Sequence, residues 1–144
     1  MKYRVYLDNC CFNRPYDDQS YLTTHLESEA KLFVQRGILQ GDFELAWSYI
    51  LDFENCANPY EGRRVAIAQW RAVATIDIDV SNEIEALGNT IMQLGIKKKD
   101  ALHIACAIEA NCHFFLTTDK KLLNKVIPEI VLINPLDFIR RLEV

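Results

Sequence analysis

"DALHIACAIEANCHFFLTTDKKL", residues 100–122, opens on one aspartate, runs through an almost wholly apolar stretch and arrives at another, Asp119. From Ala101 to Ala110 the polar side chains are only His103 and Glu109, too few for a surface helix, so the segment reads as a helix packed on most sides. Asn111 stops it. "HFFLT" (113–117) is short, aromatic and bounded by polar residues, which predicts a strand, and Thr118, Asp119 and Lys120 begin a turn. A helix from Asp100 to Asn111 spans about 18 Å, and a strand from His113 to Thr118 covers about 20 Å. The strand therefore retraces the helix, and Asp100 and Asp119 come to the same edge of the domain.

Working outward, strands alternate with helices throughout. "YRVYLD" (3–8) is a first strand ending at Asp8, and "NCCFNRPYDDQ" (9–19) reads as a loop with Pro15 and an Asp pair. Leu22, Leu26, Ala30, Phe33, Val34 and Ile38 then recur at helical spacing up to Gly41. "FELAWS" (43–48) predicts a second strand, "YILDFENCANP" (49–59) a helix ended by Pro59, and a further helix runs over Arg63, Arg64 and Ala66 to Val73. "TIDIDV" (75–80) is a short third strand, and Ser81 caps a helix through Met92 and Leu94 to Gly95. "EIVLI" (129–133) gives a last strand, and Pro135 starts a closing helix. This alternation is the pattern of a mostly parallel sheet, here about five-stranded, covered on both faces. Such sheets carry their chemistry beyond the carboxyl ends of the strands.

At 144 residues the chain reads as a single domain, 1–144, long enough to bury its own core. No apolar run reaches the ~20 residues of a membrane span, and "MKYRVYLDNCC" is too polar for a signal peptide. Five cysteines without a C-x-x-C pair predict reduced thiols in a cytoplasm. Cys56, Cys106 and Cys112 read as core residues. Cys10 and Cys11 could join His103 at a metal, although the spacing fits no zinc pattern. The net charge of −4 disfavours tight non-specific nucleic-acid binding, which rests on many Lys and Arg contacts to phosphate.

Connectivity places Asp8, Glu54, Asp100 and Asp119 on one rim. Taken singly each has an ordinary role: Asp100 at a helix N-terminus, Asp119 as turn or cap, Asp8 as a strand end, and Glu54 facing solvent, with Asp52 as its rival. Brought together, such carboxylates repel one another and raise each other's pKa, so a cluster calls for a cation or a shared proton. Oxygen ligands completed by water suit Mg²⁺ or Mn²⁺. A cation there would polarise a phosphoryl oxygen and lower the pKa of a bound water, the requirements for hydrolysing a phosphodiester.

"VYLDN", "SYILDFEN", "KKKDALHIACAIEANCHFFLTTDKKL" and "VLINPLDFI" together resemble the successive blocks of the PIN domain, a family of small metal-dependent nucleases that includes toxins of bacterial toxin–antitoxin pairs. The resemblance covers nearly the full length, and "DALHIA" followed by "FLTTD" is its most specific part. It implies a three-layer α/β/α sandwich, an acidic site binding Mg²⁺ or Mn²⁺, an RNA substrate and, for a toxin, an antitoxin partner. It assigns Asp8, Glu54, Asp100 and Asp119 to the metal-binding acids and Thr117 to a supporting hydroxyl; Ser48, six positions before Glu54, matches the family's second block. The chain departs from the family at Asn9, where Thr or Ser is common, and in the loop 9–19, whose Asn13 and Arg14 read either as phosphate contacts or as a plain turn.

Lys97, Lys98 and Lys99 precede Asp100, and Lys120 and Lys121 follow Asp119, so both flanks are positive: an RNA contact or solvated loops. His103 reads as a hydrogen-bonded core histidine, Arg63, Arg64 and Arg71 as helix surface, and Trp47, Tyr49 and Trp70 as core or interface. The apolar Phe33, Val34 and Ile38 with Tyr16 and Tyr21 predict a homodimer. A non-catalytic binding module on the same fold is the main competing function. A phosphoaspartate receiver or phosphatase is disfavoured because the first strand lacks paired acids.

Overall fold

The computed structural model describes residues 2–143. Five parallel strands form one sheet in the order β3-β2-β1-β4-β5: β1 Tyr3–Leu7, β2 Phe43–Ser48, β3 Ile76–Ile78, β4 Phe114–Leu116 and β5 Val131–Ile133. The register pairs Tyr6 with Ala46 on one side and Phe115 on the other, which sets the ends of β1, β2 and β4 level. Eight helices complete the described residues: α1 Asn9–Asn13, α2 Leu22–Gln40, α3 Tyr49–Cys56, α4 Glu61–Ala68, α5 Asn82–Met92, α6 Lys98–Glu109, α7 Lys120–Leu123 and α8 Pro135–Leu142. Helix α2 packs with α8, and α5 packs along α6, giving the three-layer α/β/α sandwich.

Because both faces of the sheet are covered, its central strands are apolar without alternation. Val5, Tyr6 and Leu7 are all fully buried, as are Phe115 and Leu116 opposite them. Tyr6 and Phe115 stack at 5.2 Å between ring centroids, joining β1 to β4 on the face that α6 covers. Helix α6 is buried from Ala101 to Ala107, as its composition requires. Asn111, at φ 58°, takes the left-handed turn that ends it and reverses the chain into β4.

Several boundaries differ from the sequence expectation. The segment 9–19 is mostly helical: the Asp8 carboxylate accepts the Asn9 amide to start α1, and Pro15 sits in the 3-10 turn Arg14–Tyr16 that follows. The helix expected over Arg63 to Val73 tightens into a 3-10 turn at Gln69–Val73. Strand β4 has only three residues; Thr117 still donates its amide to Ile133 O at 3.0 Å, while its hydroxyl turns to Asp8 and to the Asp119 amide. Cys106 and Cys112 are buried, but Cys56, the last residue of α3, is exposed and not part of the core; all five cysteines are free thiols. Val34 and Ile38 are inside, whereas Phe33 and Tyr21 face outward at 45% and 68% exposure. No described helix is long and apolar enough to cross a membrane.

Candidate metal centre

The strand order reverses its direction of growth between β1 and β4, so the crevice beyond their carboxyl ends is the expected ligand position. Asp8 stands there, straight after β1. Its backbone amide bonds to Leu116 O at 2.9 Å, which ties it to the end of β4. Its side chain accepts from Asn9 N at 2.8 Å and from the Thr117 hydroxyl at 2.9 Å. Thr117 Oγ1 in turn accepts the Asp119 amide at 3.1 Å, so one hydroxyl fixes both Asp8 and the turn that carries Asp119. Asp119 caps α7 through one carboxylate oxygen, which accepts from Lys121 N at 2.9 Å.

Glu54 comes from the second turn of α3. Ser48, at the end of β2, caps that helix by accepting Leu51 N at 3.3 Å, and this starts α3 where its sixth residue reaches the crevice. Asp52, the rival acid, is taken up elsewhere: Trp47 Nε1 donates to it at 2.9 Å and Arg71 pairs with it at 3.4 Å. Glu54 instead bonds to His103 Nε2 and accepts from the Asn9 side-chain Nδ2 at 3.3 Å. Asn9 thus supports a neighbouring acid in place of the hydroxyl usual in the resembling family.

His103, wholly buried on α6, holds this arrangement together. Its Nδ1 lies 2.6 Å from the Tyr6 hydroxyl, which lies 2.6 Å from Ser48 Oγ. The tautomer that satisfies every partner has Ser48 donating to Tyr6, Tyr6 donating to Nδ1, and the Nε2 proton donated to Glu54. Buried polar groups require partners of this kind. The sequence reading placed His103 in the core but missed its link to Glu54; the i, i+3 spacing from Asp100 was the available signal. One ligand atom each from Asp8, Glu54 and His103 lies within 4.8 Å of the others.

Asp100 projects from the first turn of α6 and shares a cavity with Asp119, lined also by Lys97, Lys121 and Lys125. No hydrogen-bond donor among the described residues reaches the Asp100 side chain. Burial, followed by the charge of Asp119, raises its pKa from its ordinary value, with Glu54 adding to the effect against the opposing His103 and Lys97. Burial also pushes Asp8 well up, with the adjacent Cys10 next in weight; His103 and the Thr117 hydroxyl oppose this. Glu54 goes the other way: burial raises it, but the His103 bond and charge, Lys99 and Asn9 together hold it low. Cys10 Sγ lies 3.4 Å from both Asp8 Oδ2 and Thr117 Oγ1. Cys11 is instead buried against Leu116 O at 3.3 Å, so the two cysteines and His103 do not form a common metal site.

The donor set fits a hard divalent cation. Among the described residues, Asp8 and Glu54 bring carboxylate oxygens together beside His103 Nε2, Asp100 and Asp119 stand outside that group and line the adjoining cavity, and the His103 Nε2 proton is donated to Glu54. In this arrangement His103 orients Glu54.

The fold is PIN-like. Two solved structures share it: VapBC2 from Rickettsia felis bound to a DNA fragment from the promoter, at 18% identity and TM-score 0.52, covering 91% of this chain and 98% of that one; and DNA-bound VapBC from Salmonella typhimurium, at 13% identity and TM-score 0.57, covering 92% of this chain and 98% of that one. No protein-family model matches the sequence, and no curated protein matches it.

Proposed function

We propose that this protein is a cytoplasmic, Mg²⁺- or Mn²⁺-dependent endoribonuclease and the toxin of a toxin–antitoxin pair. What supports the reading is the grouping of Asp8 with Glu54 and His103 at the switch point of a parallel sheet, with Asp100 and Asp119 sharing the adjoining cavity and Asp100 close enough to Asp8 to act on its charge. Asp8, Asp100 and Asp119, with Glu54 beside them, would hold the cation, which when bound polarises the phosphate and acidifies a water. Thr117 fixes Asp8 through its hydroxyl, and the Ser48–Tyr6–His103 chain fixes Glu54. Held in this way, Glu54 is oriented to accept a proton from an attacking water. Lys97 and Lys121, on the rim of the Asp100–Asp119 cavity, are placed to meet the negative backbone of the substrate.

The solved neighbours are VapBC assemblies bound to DNA, which supports a partner protein for this chain too. We therefore assign the partner the role of antitoxin.

The purified protein should cleave single-stranded RNA with millimolar Mn²⁺ or Mg²⁺ and lose that cleavage in excess chelator. Full activity in chelator would overturn the metal-dependent reading. RNA left intact with either metal would favour the alternative, a binding module that keeps the fold and acts by holding its partner.

A further inference from the structure

We infer that Phe53, Lys99 and Arg63 form a base-stacking subsite for single-stranded RNA next to the metal centre, so that one nucleobase flanking the cleaved bond is held on the Phe53 ring. This rests on the proposed ribonuclease reading and deepens it. A cleft of about 390 Å³ opens between α1 and the α3–α4 connection, with Glu54 and Asn9 in its lining. Its walls carry Phe53 and Tyr60, which are 64% and 56% exposed although each is a large apolar ring. Phe53 directly precedes Glu54, and Lys99 directly precedes Asp100. The two helices that deliver those acids therefore also deliver an exposed aromatic ring and an ammonium group, with Lys99 Nζ over one face of the Phe53 ring at 6.0 Å from its centroid.

Arg63 supplies the second cation. Its guanidinium is stacked between the rings of Tyr60, at 4.0 Å, and Tyr16, at 4.9 Å. Neither Arg63 nor Lys99 has a carboxylate partner within 4.0 Å among the described residues, in contrast to Arg14, which pairs with Asp17 at 3.0 Å and Glu27 at 3.2 Å. Stacking on the tyrosines leaves the edge of the Arg63 guanidinium for the oxygens of a phosphate. The amides at the floor are tied to each other: Asn58 donates to Asn13 at 3.2 Å, and Asn13 to Asn9 O at 3.1 Å. They shape the cleft more than they read base edges. An exposed ring, two cations without carboxylate partners and the neighbouring proposed cleavage centre together match an unstacked nucleotide, with base on Phe53 and phosphate at Arg63. Stacking tolerates any base, so the subsite selects unpaired RNA and not a sequence.

The test compares wild type and Phe53→Ala on one single-stranded oligoribonucleotide and on the same strand made abasic at each position near the cleaved bond. Wild type should lose roughly 10- to 100-fold in kcat/KM at one abasic position, the scale of a stacked base. Phe53→Ala should lose a similar factor on the intact strand and be indifferent to the abasic change at that position. Cleavage by wild type that neither change affects would overturn the subsite and leave the nuclease reading standing. If wild type cuts no RNA, the nuclease reading fails by itself, and the subsite is decided by fluorescence anisotropy with the labelled strand: tighter binding by wild type than by Phe53→Ala supports it, and equal affinities overturn it. Phe53 is exposed, so the variant keeps the core intact.

Discussion

Asp8→Asn should reduce metal-dependent RNA cleavage at least ~100-fold, the scale of losing the group that positions a metal-activated water. Asp8 is 6% exposed and fixed by the Asn9 amide and the Thr117 hydroxyl, so no other acid can swing into its place. Asparagine keeps the shape and still accepts a hydrogen bond, which separates loss of charge from loss of fold. The loss should fall on kcat, with the strand still bound through the lysine and arginine side chains. Cleavage within tenfold of wild type, by a folded variant, would remove Asp8 from the chemistry.

The second large effect needs no RNA. Asp100 lies beside Asp119 without a hydrogen-bond donor, and burial and the Asp119 charge raise its pKa. A carboxylate whose pKa is higher folded than unfolded binds its proton more tightly in the folded state, so it lowers stability as pH rises through that window and leaves the protein less stable at neutral pH. Asp8 acts in the same direction. Without metal, Asp100→Asn should therefore melt at the wild-type temperature or above it, whereas the ordinary substitution destabilises by about 1 kcal/mol. Mn²⁺ should reverse the order, because a ligand specific to the folded state stabilises by about 2.7 kcal/mol at a hundredfold excess over Kd. The variant should gain much less. Melts of both proteins in chelator and in millimolar Mn²⁺ check this, and an equal response to Mn²⁺ would reduce Asp100 to a helix-end residue.

The sheet was legible because both signals that define it are local. The apolar block Ala101–Ala110 can only be a covered helix, and Asn111 can only turn the chain. The position of Asp119 opposite Asp100 follows from those two facts. What the sequence left open depended on contacts distant along the chain. Only the Ser48 spacing favours Glu54 over Asp52 in the sequence; in the fold Trp47 and Arg71 separate them by capturing Asp52, and the Ser48 cap sets which residue of α3 reaches the crevice. The Ser48–Tyr6–His103 chain joins three separate elements, so it was invisible as a motif although each member was in view. The segment 9–19 misled because Pro15 and its Asp pair are turn residues; a single carboxylate cap and a 3-10 turn are enough to make that segment helical.

If these carboxylates share one divalent cation, titration calorimetry with Mn²⁺ reads the site directly. Wild type should bind Mn²⁺ at one dominant site. Asp8→Asn and Asp119→Asn should each weaken that binding at least about tenfold, the scale of losing one charged ligand. Asp52→Asn, whose carboxylate lies with Trp47 and Arg71 away from the crevice, should bind as wild type does. Equal affinity in all four proteins, or no binding by wild type at millimolar Mn²⁺, would contradict the account.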